Sequence, residues 1–282
     1  MNKVVIFSDS TCDLSNEICQ KYDIKVVRLY VTFEQDVYKD GSDITPSLLF
    51  DEVKKRKMLP KSSCPTFKDV YDAFKPYIDE GYDIFYTGIG AGFSGTFNIF
   101  NQVKEELGEE RIYVMDSKNL SSGIGYLVLE ACKLRDEGKS AKEIYDILII
   151  DREKIRTQFV IDTLEYLHKG GRCSGMARVV GTILRIKPNI KVVDGQMVVA
   201  RKFRGMKQGV KGQLEDVMNG IYNIDKDLIF VTHCFASDEA QEMIEELINL
   251  GFKKENILEQ TAGCVISTHC GKGTIGIIYK EK

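Results

Sequence analysis

The sequence predicts an α/β fold with two domains, on two observations. In the first half, strand-like and helix-like segments alternate, which is typical of a mostly parallel sheet with helices on both faces. In the second half, Asp194-Gly195 separates two strand-like runs and indicates a β-hairpin, hence a mixed sheet. We therefore expect a parallel α/β domain over residues 1–157 and an α+β domain over residues 158–282.

Local patterns give the order of the elements. Asp13 is expected to start the first helix, Pro46 suits a first helical turn and Thr66 an N-cap. In the first half we predict strands at 4–8, 26–33, 82–89 and 111–115, and helices at 14–22, 45–57, 67–78, 96–107, 121–137 and 140–151. In the second half we predict strands at 158–161, 190–193, 196–200, 228–232, 256–260 and 274–279, and helices at 210–220 and 238–250.

Composition excludes several classes of function. The net charge is −3, with 39 basic and 42 acidic residues, so the chain has no basic excess for binding nucleic acid. The first apolar run is too short for a signal peptide, and no later run approaches the ~18 apolar residues of a membrane span. We expect a cytoplasmic protein that makes at most a transient contact with a membrane surface. Its eight cysteines are expected as free thiols, and their spacing fits no familiar zinc pattern.

A glycine-rich segment between a predicted strand and a predicted helix is the most informative stretch. Ser94 is expected at the N-cap, followed by Gly95, where free amides and the helix dipole favour an anion such as a carboxylate or a phosphate. An ordinary N-cap serine is the alternative.

The same segment also contains G-x-G-x-x-G at Gly90, Gly92 and Gly95, with Asp116 about 20 residues on. This alternative predicts an oxidoreductase that uses NAD or a flavin. Two features count against it. The strand is not the first of the chain, and no catalytic acid/base pair follows in the second half.

Four further polar clusters could contact a ligand or a partner. Ser62 and Ser63 lie in a loop made rigid by Pro65, and His269 lies in a glycine-flanked loop before the last strand. Arg172 follows a glycine turn. Arg204 belongs to a basic stretch that is either a solvated surface or a partner contact.

In order and spacing these segments resemble the DegV family, the fatty-acid-binding proteins that serve bacterial fatty acid kinase. The motifs that carry the resemblance are Ser8-Asp9-Ser10-Thr11 with Asp13-Leu14, Tyr38-Lys39-Asp40-Gly41, Ser62 to Thr66, Phe93-Ser94-Gly95-Thr96, Asp162 to Leu167, Lys169-Gly170-Gly171-Arg172, Lys187-Pro188, Arg204-Gly205 and Thr268-His269-x-Gly271.

The resemblance implies a binding protein, not an enzyme, with the acyl chain of one fatty acid in a tunnel between two α/β domains. It implies that Ser62 and Ser94 hold the carboxylate, with Ser63, Gly95, Arg172 and His269 as neighbours. A separate kinase catalytic subunit would phosphorylate the bound acid, with Arg204 as its contact. No cofactor and no metal is implied.

The sequence departs from the family pattern at two positions. Cys64 stands where the family commonly has glutamine, and Lys272 stands where proline is common. We expect the ligand class to be retained, because Ser62 keeps its hydroxyl, and the details of the hydrogen bonding to change.

Overall fold

The computed structural model describes residues 2–172 and 186–282. The strands in these ranges are β1 (Val4–Asp9), β2 (Ile24–Val27), β3 (Tyr30–Phe33), β4 (Asp36–Lys39), β5 (Lys61–Ser63), β6 (Asp83–Gly88), β7 (Ile112–Asp116), β8 (Ile155–Val160), β9 (Ile186–Val193), β10 (Gln196–Arg204), β11 (Ile224–Cys234), β12 (Ile257–Thr261) and β13 (Thr274–Glu281). The helices are α1 (Asn16–Lys21), α2 (Pro46–Arg56), α3 (Phe67–Asp79), α4 (Thr96–Leu107), α5 (Ser122–Asp136), α6 (Ala141–Asp151), α7 (Glu165–Lys169), α8 (Met206–Gly220), α9 (Ser237–Asn249) and α10 (Cys264–Cys270).

Three sheets organise the chain. The first has the order β2-β1-β6-β7 and is parallel throughout, as the alternation of strands and helices predicted. The second has the order β10-β9-β8-β13-β11-β12 and is mixed, because only β11 and β12 pair in parallel. The third is a small antiparallel sheet of order β4-β3-β5.

Helices fill the spaces between and outside the two large sheets. Helices α3 and α4 cover one face of the parallel sheet, and α5 and α6 pack on the other. Helix α5 also packs on the six-stranded sheet, where the rings of Tyr126 and Phe230 are 6.2 Å apart. Nine of its 15 residues are buried, as expected of a helix enclosed by two sheets. Helices α8 and α9 cover the far face of the six-stranded sheet.

The small sheet packs against helices from both halves of the chain. Val31 and Phe33 on β3 contact Leu49 of α2 and Val265 of α10 in one apolar cluster. No helix within residues 2–172 and 186–282 is both long and apolar enough to cross a membrane.

Most predicted elements are present, and the predictions for Pro46, Thr66 and the hairpin are confirmed. Pro46 lies in the first turn of α2, and Thr66 caps α3 in a capping box with Asp69. Asp194 and Gly195 have φ of 49° and 71°, as a tight hairpin turn requires.

Two predictions for the first part of the chain are wrong. Asp13 does not start α1, because Ser15 caps that helix and the Asp13 carboxylate is bound elsewhere. The predicted strand at 26–33 is two strands in different sheets, β2 and β3.

The expected division of the chain between residues 157 and 158 falls inside β8, which pairs with β9 and β13.

Candidate functional site

A cavity lies between the small sheet and the six-stranded sheet. Its walls come from β5, the loop after β6, the start of α5, helix α10 and one face of β8, β11 and β13. On that face Gly276 of β13 lies between Phe159 and Thr232 on the neighbouring strands. Residues from both halves of the chain therefore form one enclosure.

Two buried carboxylates position helix α10, which forms one wall. Asp13 accepts a hydrogen bond from the amide of Gly263 at 2.9 Å, and Asp40 accepts one from the amide of Cys264 at 2.8 Å. These amides lie at the start of the helix, where negative charge is favourable. Burial raises the pKa of both carboxyls. The first 40 residues thus position a helix near the end of the chain.

The other end of α10 carries His269, which contacts Ser62. The Ser62 Oγ and the His269 Nε2 are 2.7 Å apart, which is a hydrogen bond. Ser62 is held by β5, where it pairs with Val31 of β3. The predicted loop around Ser62 is therefore a short strand, and the predicted loop around His269 is the last turn of a helix.

The imidazole of His269 is neutral. Burial, together with the charge of Arg172, lowers the pKa of His269 to about 4. Its Nδ1 atom is buried and has no hydrogen-bond partner among the described residues. Gly170 packs against the Nδ1 edge of the ring, where a Cβ at this position would lie only 2.3 Å from Nδ1.

Ser94 lies in the opposite wall, next to Cys64. The Ser94 Oγ is 3.4 Å from the Cys64 Sγ and 2.9 Å from the Thr96 Oγ1. The prediction that Ser94 caps the helix is wrong, because Gly95 is the N-cap of α4. The Ser94 hydroxyl still accepts from the amide of Thr96, at 3.3 Å, so it lies at the positive end of the helix.

The remaining predicted site residues also line this cavity. Gly95 leaves open space beside its Cα, since a Cβ there would only touch Cys64 Sγ at 3.9 Å. The guanidinium of Arg172 donates to the carbonyl of Gly170 at 2.7 Å. Ser63 also lies in the cavity wall, and it follows Ser62 on an extended strand, so their side chains point to opposite faces.

The hydroxyls of the cavity wall on β8, β11 and β13 and before α5 are hydrogen-bonded to other groups of the protein. The Thr157 hydroxyl donates to Asn119 at 2.7 Å, and the Thr232 hydroxyl lies 2.6 Å from that of Ser122. The hydroxyls of Thr11, Ser121 and Thr274 are likewise engaged with Asp9, Asp13 and the carbonyl of Cys270. This part of the cavity therefore offers an apolar surface.

A family model described as "uncharacterised protein, DegV family" matches residues 3–282. The chain belongs to the DegV family. A DegV domain-containing protein of Clostridium acetobutylicum is 33% identical to it over 283 residues, which cover all of both chains.

Solved structures of family members have the same fold. A DegV family protein from Thermus thermophilus, described by its fatty acid binding, superposes with a TM-score of 0.92 at 27% identity and covers 99% of this chain and 100% of that one. A stearic-acid-binding protein from Eubacterium ventriosum superposes with a TM-score of 0.87 at 26% identity and covers 99% and 98%. The α/β fold with a parallel and a mixed sheet is therefore that of DegV proteins.

In this DegV family member, two of the three glycines of the G-x-G-x-x-G segment lie against protein backbone. A Cβ at Gly90 would meet the Asn119 backbone at 2.9 Å, and one at Gly92 would meet the Gly195 carbonyl at 2.2 Å. The Asp116 carboxylate accepts from the amides of Ala91 and Lys118 at 3.0 and 2.9 Å. Packing accounts for Gly90 and Gly92, and Asp116 stabilises the loop itself.

Arg204 lies outside the cavity, at the exposed end of edge strand β10. A bulge at Ala200 shifts the register of β10, so that Arg204 faces the same side of the sheet as Met197, which lines the cavity. The side chain of Arg204 has no hydrogen bond or ion pair with the residues that the structure describes.

Sequence reasoning missed the roles of Asp13 and Asp40. Both lie in motifs that carried the family resemblance, which was the available signal, but their bonds to α10 span more than 220 residues of sequence. In the described part of the family member, no three His, Cys, Asp or Glu side chains are grouped to hold a metal ion.

Proposed function

We propose that this protein binds one long-chain fatty acid without transforming it, and presents the carboxylate to a kinase subunit. With residues 1–157 and 158–282 as two domains, the fatty-acid tail would occupy the cavity between them. The head group would lie between Ser62 and Ser94. The observation that carries the proposal is the difference between the two parts of the cavity. At one end, the Ser62 and Ser94 oxygens lie next to His269 and the first amide of α4, groups that can donate to them and leave the hydroxyl protons for a ligand. Along the rest, hydroxyls such as those of Thr11 and Thr157 donate their protons to acceptors of the protein itself.

The head-group end offers the donors that a carboxylate requires. If the neutral His269 keeps its proton on Nε2 and donates it to Ser62, the Ser62 hydroxyl is free to donate to the ligand. The Ser94 hydroxyl, at the start of α4, is the second donor. Arg172 contributes positive charge, and Gly95 leaves room for the carboxylate. A buried carboxylate without such partners would be costly.

The remainder of the cavity suits an alkyl chain. Each buried methylene stabilises the complex by about 0.8 kcal/mol, so a long tail supplies most of the affinity. Apolar side chains form these walls; Ile89 comes from the loop after β6, and Phe159 and Ile278 come from the six-stranded sheet. The names of the Thermus thermophilus and Eubacterium ventriosum proteins, which mention fatty acid and stearic acid, support the same ligand class.

Acyl-phosphate formation would require a second protein. We expect a cytoplasmic chain that binds no nucleotide cofactor and turns over no substrate alone. Arg204, exposed on the cavity side of β10, is the proposed contact for the kinase subunit or for the phosphate. Replacing Arg204 with alanine should spare fatty-acid binding and impair the coupled kinase reaction. The matched control is Lys202→Ala on the same strand face. Loss of lipid from the Arg204 variant, with normal turnover per bound lipid, would contradict this division of roles.

The direct test is the identity of the bound ligand. Protein purified from a bacterial host should carry a fatty acid of about C14–C18, detected by native mass spectrometry and by solvent extraction. Ser94→Ala should carry less, and Ser63→Ala as much as the wild type. A nicotinamide or flavin in its place would support the oxidoreductase alternative, and no lipid under any loading condition would reject the proposal.

A further inference from the structure

Strand β13 has a residue without a side chain in the middle of the row that faces the cavity. Thr274, Gly276 and Ile278 line the cavity, since alternate residues of a strand share one face. The intervening Ile275 and Ile277 belong to the apolar cluster on the opposite face, under α8 and α9. The cavity-facing row of β13 therefore has a gap at Gly276.

Side chains of the two neighbouring strands flank this gap. Gly276 is the register partner of Phe159 on β8 and of Thr232 on β11, and both residues line the cavity. Gly276 does not have a positive φ, so the backbone conformation does not require glycine. A glycine inside a strand often marks a position where another group approaches the backbone closely. The gap is thus a groove whose floor is the backbone of β13.

The segment before α5 covers this groove and is attached to the strand on either side of it. The Ser122 hydroxyl lies 2.6 Å from that of Thr232 on β11, and the Thr157 hydroxyl on β8 donates to Asn119 at 2.7 Å. Residues 120–121, between these two attachments, line the cavity. Because hydrogen bonds hold the segment on both sides of β13, the segment and the sheet enclose a channel of fixed width.

The channel leads from the head-group end of the cavity past Gly276. Thr274 donates to the carbonyl of Cys270, the residue after His269, at 2.9 Å, so this end of the row lies beside the head group. Ile278, on the other side of Gly276, belongs to the apolar cluster between the two large sheets. A tail that extends from the head group to Ile278 therefore crosses the gap.

We propose that Gly276 is a specificity-determining residue for the length of the fatty-acid tail, which passes over its backbone toward Ile278. This inference rests on the proposed function. A Cβ at Gly276 would lie 2.8 Å from the Gln158 carbonyl oxygen and 2.9 Å from the Phe159 Cβ, so an added methyl group has no space beside the channel. The same distances give a second reason for glycine, packing against β8, and the two reasons predict different ligand profiles.

The first experiment compares the affinities of saturated fatty acids of about 8 to 18 carbons for the wild type and Gly276→Ala. In the wild type each added methylene should raise the affinity about fourfold until the channel is full. In the variant the shortest acids should bind as they do to the wild type, and acids that extend past residue 276 should bind about tenfold or more weakly. An equal loss at every chain length, or no loss at any, would overturn the proposal, because damage to the fold does not depend on the length of the ligand.

Gly209→Ala is the matched control, because it disturbs β8 from the opposite face. A Cβ at Gly209, on α8, would meet the Val160 side chain at 2.7 Å, and neither residue belongs to the cavity wall. This variant should differ from the wild type by the same factor at every chain length. A loss confined to the long acids in this control would mean that a displacement of β8, and not the space above Gly276, limits the tail.

A photoreactive ligand tests the path of the tail in the wild-type protein, independently of the folding of any variant. Palmitate analogues with a diazirine at successive carbons should label Gly276 or its neighbour Phe159 from the middle of the chain, and Ile278 from near the terminal methyl group. Labelling from these carbons at Leu29 and Ile89 only would overturn the proposal.

The two experiments also separate this inference from the proposed function. If the wild type binds no fatty acid of any length, the proposed function fails and the role of Gly276 fails with it. If the wild type binds long acids, and Gly276→Ala shows no dependence of the loss on chain length, only the role of Gly276 fails.

Discussion

The two ends of the cavity contain the same kind of side chain and use it in opposite ways. In the part of the cavity proposed for the tail, the hydroxyl of Thr232 is hydrogen-bonded to that of Ser122 at 2.6 Å. At the head-group end, the neutral His269 can donate its Nε2 proton to the Ser62 oxygen. The Ser62 hydroxyl proton is then free to bond to a ligand. The direction of the hydrogen bonds, more than the composition of the wall, distinguishes a site for a charge from a site for an alkyl chain.

The largest effect expected from this comparison is the loss of both head-group hydroxyls. Ser62→Ala and Ser94→Ala should each weaken fatty-acid binding by about tenfold or more, since each removes a hydrogen bond to a charged group. The double variant should weaken it by less than the product of the two single effects, because both serines address one carboxylate.

Affinities of delipidated proteins, measured by calorimetry with oleate, provide the test. Ser63→Ala is the matched control, because the neighbouring side chain on β5 points to the other face and should leave the affinity unchanged. Wild-type affinity in Ser62→Ala, or an equal loss in Ser63→Ala, would remove the distinction between the two ends.

The next effect concerns the pH dependence of stability at His269. The pKa of His269 is lowered to about 4 in the folded protein, against an ordinary value of 6.5. The unfolded chain therefore takes up a proton first, and the folded protein loses stability as the pH falls from about 6.5 toward 4. Relative to His269→Gln, we expect the wild type to lose about 2 kcal/mol between pH 7 and pH 5.

Urea unfolding of both proteins at these two pH values measures the difference. The raised pKa values of Asp9, Asp13 and Asp40 act in the opposite sense, because their contribution is greatest at low pH and is lost as the pH rises through each raised pKa. They are common to both proteins and cancel in the comparison. Parallel stability curves would show that His269 is charged or exposed in the folded state.

A smaller effect is expected when the head-group space is narrowed. Gly95 has φ of −72° and ψ of 0°, which alanine adopts readily, and a Cβ there meets only Cys64 Sγ at 3.9 Å. Gly95→Ala should keep the free energy of unfolding within about 0.5 kcal/mol of the wild-type value and weaken oleate binding about fivefold. The added methyl group has space within the protein but narrows the space for the carboxylate.

Gly220→Ala, at the end of α8, is the matched control, with ordinary contacts to Ile224 at 3.8 Å and no part in the cavity wall. Both quantities should stay at the wild-type level in this control. If Gly95→Ala binds as tightly as the control, the carboxylate lies elsewhere.

The sequence predicted the fold more completely than the local structure of the site. The alternation of strands and helices was sufficient for the parallel sheet, and Asp194-Gly195 for the hairpin. Helix α10 was missed because it has β-branched residues, no capping side chain and glycines on both sides. The helix begins where the side chains of Asp13 and Asp40 accept hydrogen bonds from the amides of Gly263 and Cys264. No local sequence pattern contains that information.

The candidate residues were found by type and motif, but their relations required the structure. Ser62 and His269 are separated by 207 residues of sequence, so their hydrogen bond could not be inferred from spacing. The bulge in β10 that directs Arg204 toward the cavity side also has no sequence signature at Ala200. Local propensity describes elements well, whereas a site assembled from β5, α4 and α10 depends on tertiary contacts.

The smallest effect on binding is expected at the deep end, where a hydroxyl is removed without removing volume. Thr232→Val keeps the shape of the side chain and breaks its 2.6 Å hydrogen bond with Ser122. Because the hydroxyl faces the protein, we expect oleate affinity to change by less than about twofold, while the free energy of unfolding falls by about 1 kcal/mol. Affinity from calorimetry and stability from urea unfolding should therefore separate here, opposite to the pattern at Ser62. A loss of affinity as large as that in Ser62→Ala would mean that Thr232 addresses a polar group of the ligand, and the deep cavity would then be a second polar site instead of the channel for the tail.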